Sequence, residues 1–150
     1  MKELKGFIEL LTNNYFIIAI LAWFIAQLLK FIISFVKSRS FDFRLFVASG
    51  GMPSSHSALV MGLTSSLGFD KGWDSPVTAA ALIFSLVVMY DAAGVRRAAG
   101  KQAEILNKLI FDTSNDKQLT EQRLKELLGH TPIEVLTGAL LGLLVGFLLM

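Results

Sequence analysis

Four apolar stretches separated by polar segments constrain this chain more than any other feature. Residues 15–36 are apolar apart from Gln27, Lys30 and Ser34, and as a helix they measure about 33 Å, enough to cross the hydrocarbon core of a bilayer. Residues 53–69, 75–93 and 133–150 repeat the pattern, the first of them near the lower length limit for a span. At 53% hydrophobic residues and a mean hydropathy of +0.59, the chain is too apolar for an ordinary soluble domain. The expected fold is all-α: a polytopic membrane protein with four transmembrane helices, formed as a single membrane domain over residues 1–150. Lys30 lies two turns from the end of its run, where a long stem lets its charge snorkel to the interface.

The remaining segments fit around the spans. Residues 1–14 place Leu4, Phe7, Ile8 and Leu11 at helical spacing among charged neighbours, the pattern of an interfacial segment. No small-residue cleavage site follows the first apolar run, so it reads as a span and not as a leader. Ser75 and Pro76 are a cap and a first-turn proline for the third span. Residues 94–130 form a cytoplasmic segment with amphipathic helices. Gln102, Ile105, Leu106, Leu109 and Ile110 make one stripe there, and Leu119, Leu124, Leu127 and Leu128 make another after the turn-rich residues 112–116. Gly138, Gly142 and Gly146 recur every four residues and put a smooth strip on one helix face. That strip serves packing within the chain, the preferred reading, or a homodimer through the same face. The chain has no cysteine, which removes disulfides and thiolate chemistry, and its net charge of +2 is too small to argue for nucleic acid.

Four spans fix a sidedness. Residues 37–52, the Asp91 end of the third span and residues 94–130 all fall on one side, and so do both histidines, His56 and His130. Ten cations lie on that side (Lys37, Arg39, Arg44, Arg96, Arg97, Lys101, Lys108, Lys117, Arg123 and Lys125) against Lys2, Lys5 and Lys71 on the other. The excess of positive charge makes that side cytoplasmic.

The chemistry gathers on the same side. Residues 50–58 read GGMPSSHSA: glycines for a turn, Pro53 as a helix starter, the hydroxyls of Ser54, Ser55 and Ser57, and His56, all immediately before an apolar run. Such a loop entering a helix offers free N–H groups and the positive end of the helix dipole to an anion. Lys37 stands seven positions before Arg44, and His130 stands four before Glu134, which also completes a capping box with Thr131 ahead of Pro132. Two histidines, a carboxylate and several cations around two helix starts suit phosphoryl transfer. Cations and N–H groups hold the phosphate oxygens, one histidine attacks, and the other protonates the leaving oxygen. Each piece also has a plainer explanation, as helix caps and juxtamembrane charges. Metal binding by the histidines with Asp91 or Glu134 lacks a supporting spacing, and neither a metal nor another cofactor is expected.

The spacing of Lys37 and Arg44, the block Pro53-Ser54-Ser55-His56 and the pair His130 and Glu134 resemble the three signature motifs of the type 2 phosphatidic acid phosphatase (PAP2) superfamily. The blocks GGMPSSHSA and YDAAGVRRAAGKQAEILN look like its small divergent branch, the acid phosphatase and vanadium-dependent haloperoxidase related membrane proteins. The resemblance implies a metal-independent membrane phosphatase acting on a phosphorylated lipid, of the phosphatidate, phosphatidylglycerophosphate or polyprenyl phosphate type. It casts His130 as the nucleophile that forms a phosphohistidine, Glu134 as its orienting group and His56 as the general acid. Lys37, Arg44, Ser54 and Ser55 would bind phosphate. The chain departs from the pattern at Leu45, Ser55 and Glu134, where proline, glycine and aspartate are usual, and at Leu124, where arginine is usual and Arg123 and Lys125 flank the position. Arg96 or Arg97, with Asp91 in support, is expected to supply the missing cation. The rival readings are a non-catalytic binder or translocator of phosphorylated lipids, and a structural membrane protein.

Overall fold

The computed structural model describes residues 2–38, 51–113 and 129–150. These form six helices and no strand: α1 (Lys2–Leu11), α2 (Asn14–Ser38), α3 (Ser55–Lys71), α4 (Pro76–Ala93), α5 (Val95–Thr113) and α6 (Pro132–Leu149). The amphipathic helix expected around Leu119 to Leu128 lies outside the described residues. Among the described residues, three stretches are long and apolar enough to cross a membrane, Asn14–Val36, Pro76–Asn107 and Pro132–Leu149. The expected second span is not among them. α3 has 17 residues, and most of its buried positions are Ser, Thr, Gly and Ala.

The composition of α3 follows from where it sits. It packs against α2, α4 and α6 together, so its neighbours are other helices on most sides, and small residues let those backbones approach closely. Against α6 the approach is closest. A Cβ added at Gly138 would collide with the Ser54 carbonyl, one at Gly142 with the Ala58 carbonyl, and one at Gly146 with Ser65 Oγ. Residue numbers rise together along this contact, so α3 and α6 run parallel and both start at the same end of the molecule. The glycine strip is thus covered by α3 of the same chain. α2 runs antiparallel to α3: a Cβ at Gly62 would sit 2.9 Å from Ala22 Cβ, and Tyr15 Oη hydrogen-bonds the Asp70 carboxylate at the opposite end.

Several buried hydroxyls of this bundle bond to groups on neighbouring helices. Ser85 Oγ on α4 donates to the Val60 carbonyl at 3.0 Å and lies 2.8 Å from Thr64 Oγ1, stitching α4 to α3 where no water reaches. Ser65 Oγ reaches the Gly142 carbonyl at 3.2 Å. At the α3–α4 turn the Phe69 ring meets Trp73 edge-on at 5.4 Å and Phe147 of α6 at the same distance.

The outward faces are apolar. Ile83, Phe84, Val87, Leu136, Leu140 and Phe147 are all exposed, which water would penalise and lipid tails would not. α1 leaves Leu4, Phe7, Ile8 and Leu11 exposed as well, as an interfacial helix requires. α5 divides its faces in the same way. Its small and polar face is the buried one, through Gly100, Ala103 and Asn107, while Gln102, Ile105 and Leu106 of the apolar stripe face outward. Ser75 holds the cap position of α4 but its side chain makes no capping bond, and Pro76 follows it. Pro53 is likewise not the first helical residue: Ser54 is the cap of α3, and Pro53 precedes it.

Candidate functional site

Parallel packing brings the first turns of α3 and α6 side by side, and the candidate site is built on that junction. The amide of Ser54 donates to the carbonyl of Glu134 at 2.9 Å, tying one helix start to the other. Ser54 is fully buried, and its Oγ accepts from the Ser57 amide at 3.4 Å and from Ser57 Oγ at 3.0 Å. Ser55 is buried in the first turn and His56 is exposed one position on. The Ser54 oxygen is therefore committed to capping, and what this end of α3 offers an anion is its hydroxyl hydrogen and the first-turn amides.

α6 begins in the same manner with a carboxylate added. Thr131 caps it, with Thr131 Oγ1 accepting from the Glu134 amide at 3.3 Å and Glu134 Oε2 accepting from the Thr131 amide at 3.0 Å, the capping box read from the sequence. The same Oε2 lies 3.2 Å from His130 Nδ1. The capping function and the pairing with His130 therefore coexist in one carboxylate. His130 is only 4% exposed. Its backbone is held from the other direction, since its amide donates to the Ala92 carbonyl at the end of α4 at 2.9 Å. Gly129, at φ +96°, provides the left-handed turn that delivers the chain to that bond. Nothing in the sequence marks Ala92 for this role, because the contact is made by its backbone.

A Glu134 carboxylate facing Nδ1 favours the tautomer with hydrogen on Nδ1, which puts the ring's lone pair on Nε2. The two helix starts add partial positive charge on the same side. Glu134→Gln keeps an oxygen for the cap but removes the charge behind the imidazole, whereas Glu134→Ala removes both. We expect the alanine variant to lose about 1 kcal/mol of stability through the cap and the glutamine variant to keep its melting temperature. Both should lose reactivity of His130 toward diethyl pyrocarbonate. Equal melting temperatures for all three proteins would show the cap to be unimportant.

The other expected site residues are distributed as follows. Asp91 is half-buried in the last turn of α4, adjacent to the Ala92 carbonyl that holds His130. Arg96 and Arg97 lie in the first turn of α5, just past Gly94, and Arg97 is exposed. Lys37 is in the last turn of α2. Arg44, Arg123, Leu124 and Lys125 lie outside the described residues. Lys30 overturns its expectation: it does not snorkel but is turned inward, 5% exposed, with its stem beside Gly51. An ionisable residue within a span is itself a signal of function, and that signal was present in the sequence. Among the described residues no group of three or more His, Cys, Asp and Glu gathers as metal ligands.

These features define a small helical membrane protein whose buried histidine and carboxylate stand at two converging helix starts. The sequence matches the divergent PAP2 family over residues 11–145, and the chain belongs to that family. It is also 41% identical over 152 residues to the uncharacterized membrane protein YuiD of Bacillus subtilis (strain 168), an alignment covering 94% of this chain and 96% of that protein. No solved structure matches it.

Proposed function

We propose that this protein is a membrane phosphatase that hydrolyses a phosphorylated lipid, of the phosphatidate, phosphatidylglycerophosphate or polyprenyl phosphate type, through a phosphohistidine. The observation that carries this reading is the His130–Glu134 pair, a buried imidazole against a half-buried carboxylate where the α3 and α6 starts meet. Membership of the divergent PAP2 family supports it.

In the proposed reaction His130 Nε2 attacks phosphorus, forming the N–P bond as the bond to the lipid oxygen breaks. Protonated His56 gives its proton to that oxygen, which leaves as an alcohol. Water then attacks phosphorus and gives a proton to His56, the N–P bond breaks, and inorganic phosphate departs. Glu134 stabilises the positive charge that His130 acquires on attack. The first-turn amides, Ser54, Ser55, Lys37 and Arg44 hold the phosphate oxygens, with Arg96 or Arg97 at the rim beside Asp91. No step calls on a metal, so turnover is expected to persist in EDTA.

The direct test is release of inorganic phosphate by purified protein in mixed micelles of each lipid. Lipid binding with no phosphate release would identify a binder or translocator instead, and neither binding nor release would identify a structural protein.

The reading also includes four spans, with α3 crossing inside the bundle, and a site facing the cytoplasm. In this cysteine-free chain, Lys101→Cys on α5 is expected to be shielded from an impermeant thiol reagent added to intact cells. Asp74→Cys, in the opposite turn, is expected to react. The reverse labelling would put the site on the outer face.

A further inference from the structure

The apolar stretch of α2 contains a single lysine, and none of the motifs uses it. Lys30 is 95% buried, being 5% exposed. Its stem runs past Gly51: a Cβ added there would lie 3.5 Å from Lys30 Cγ, 3.6 Å from Cδ and 3.9 Å from Cε. Gly51 holds φ +87° and leads directly through Pro53 to the cap at Ser54. The lysine therefore runs, buried, beside the segment that opens α3, next to the junction where the Ser54 amide meets the Glu134 carbonyl.

The groups at the two helix starts favour an anion. Glu134 serves His130 Nδ1 and the Thr131 amide, while the buried stem of Lys30 and the positive ends of α3 and α6 stand at the same junction. A buried lysine within a span is retained where it is paired or where it meets a ligand, and a dianion with several oxygens placed over the two helix starts would meet it.

Resting on the phosphatase reading above, we propose that Lys30 Nζ is a ligand of the phosphate dianion, reaching one of its non-bridging oxygens from within the bundle. It supplies a cationic contact from α2, a separate helix from those that carry the motif residues of α3 and α6. The alternative is that Lys30 only neutralises Glu134.

Binding of inorganic vanadate to the purified protein, followed by calorimetry alongside phosphate release, separates these. Lys30→Met is expected to weaken vanadate binding about 10- to 100-fold, the usual effect of losing a charge-assisted hydrogen bond. Lys30→Arg should retain much of the affinity. In a Glu134→Gln background, loss of Lys30 should weaken binding again, because a phosphate ligand acts independently of the carboxylate. Unchanged vanadate affinity in Lys30→Met, or an effect that vanishes once Glu134 is glutamine, overturns the assignment. Lys30→Gln provides the same comparison should the methionine variant not fold. Phosphatidate in mixed micelles competing at lower concentration than inorganic phosphate marks the anion as lipid-borne, and the reverse order marks it as free phosphate. Wild-type protein that binds vanadate but releases no phosphate sinks the catalytic reading and leaves the Lys30 comparison intact. Wild-type protein that does neither sinks both.

Discussion

His130→Ala is expected to abolish phosphate release while leaving the protein folded in detergent. The imidazole is the attacking group in the proposed reaction and forms the covalent intermediate. Folding should survive because the helix start is held by other groups: the Thr131 and Glu134 box and the Ser54 amide to the Glu134 carbonyl, none of which uses the His130 ring. His56→Ala removes a proton donor and not the nucleophile, so its expected loss is smaller, at least ~10²-fold. It should also be least severe for substrates whose leaving oxygen is already acidic, such as an aryl phosphate. Phosphate release assayed on both kinds of substrate checks the ordering. Full activity of the His130 variant would remove the covalent mechanism altogether.

The second large effect is on stability. Gly142→Leu is expected to destabilise the protein by about 3 kcal/mol or more, because the new side chain would be driven into the α3 backbone. A Cβ alone would overlap the Ala58 carbonyl and approach Gly62 N to 2.8 Å and Met61 Cβ to 3.0 Å. Pushing α6 away from α3 would also stretch the Ser54–Glu134 bond, so turnover should fall with the melting temperature. Gly6→Leu on α1 is the matching control, since nothing lies within 4 Å of a Cβ there. Thermal unfolding in micelles measures both variants, and gel filtration addresses the other use of the strip. If Gly142→Leu kept its melting temperature and changed only its oligomeric state, the glycine face would be acting between chains.

Much of this protein can be read directly from its residues. The apolar runs mark helices because a backbone crossing lipid must satisfy its own hydrogen bonds, and α2, α4 and α6 follow them closely. The capping box at Thr131 is a local pattern, with all partners within three or four residues, so spacing finds it. The motif residues likewise identify the family from sequence order alone. Which helix is enclosed and which faces lipid is a different kind of question. α3 is the least apolar of the four long stretches, and only its position among α2, α4 and α6 explains why serine, threonine and glycine are the right residues for it. On α5 the stripe that periodicity selects faces outward, since packing there is governed by close approach and not by apolarity.

Lys30 shows the same division at the level of a single side chain. Its sequence position allows its stem to run either way, to the interface or into the bundle, and the direction it takes is set by packing against another segment at Gly51. Ala92 is more extreme, because it holds His130 through a backbone carbonyl that every residue possesses. Local sequence therefore determined the helices, their caps and the family, all of which depend on neighbours a few residues apart. The tertiary structure alone decided that α3 and α6 run parallel with their starts together, that the Ala92 carbonyl holds the His130 amide, and that Lys30 is buried against the segment that opens α3. Those outcomes depend on contacts between residues tens of positions apart, where the preference of any one residue carries no information about its partner.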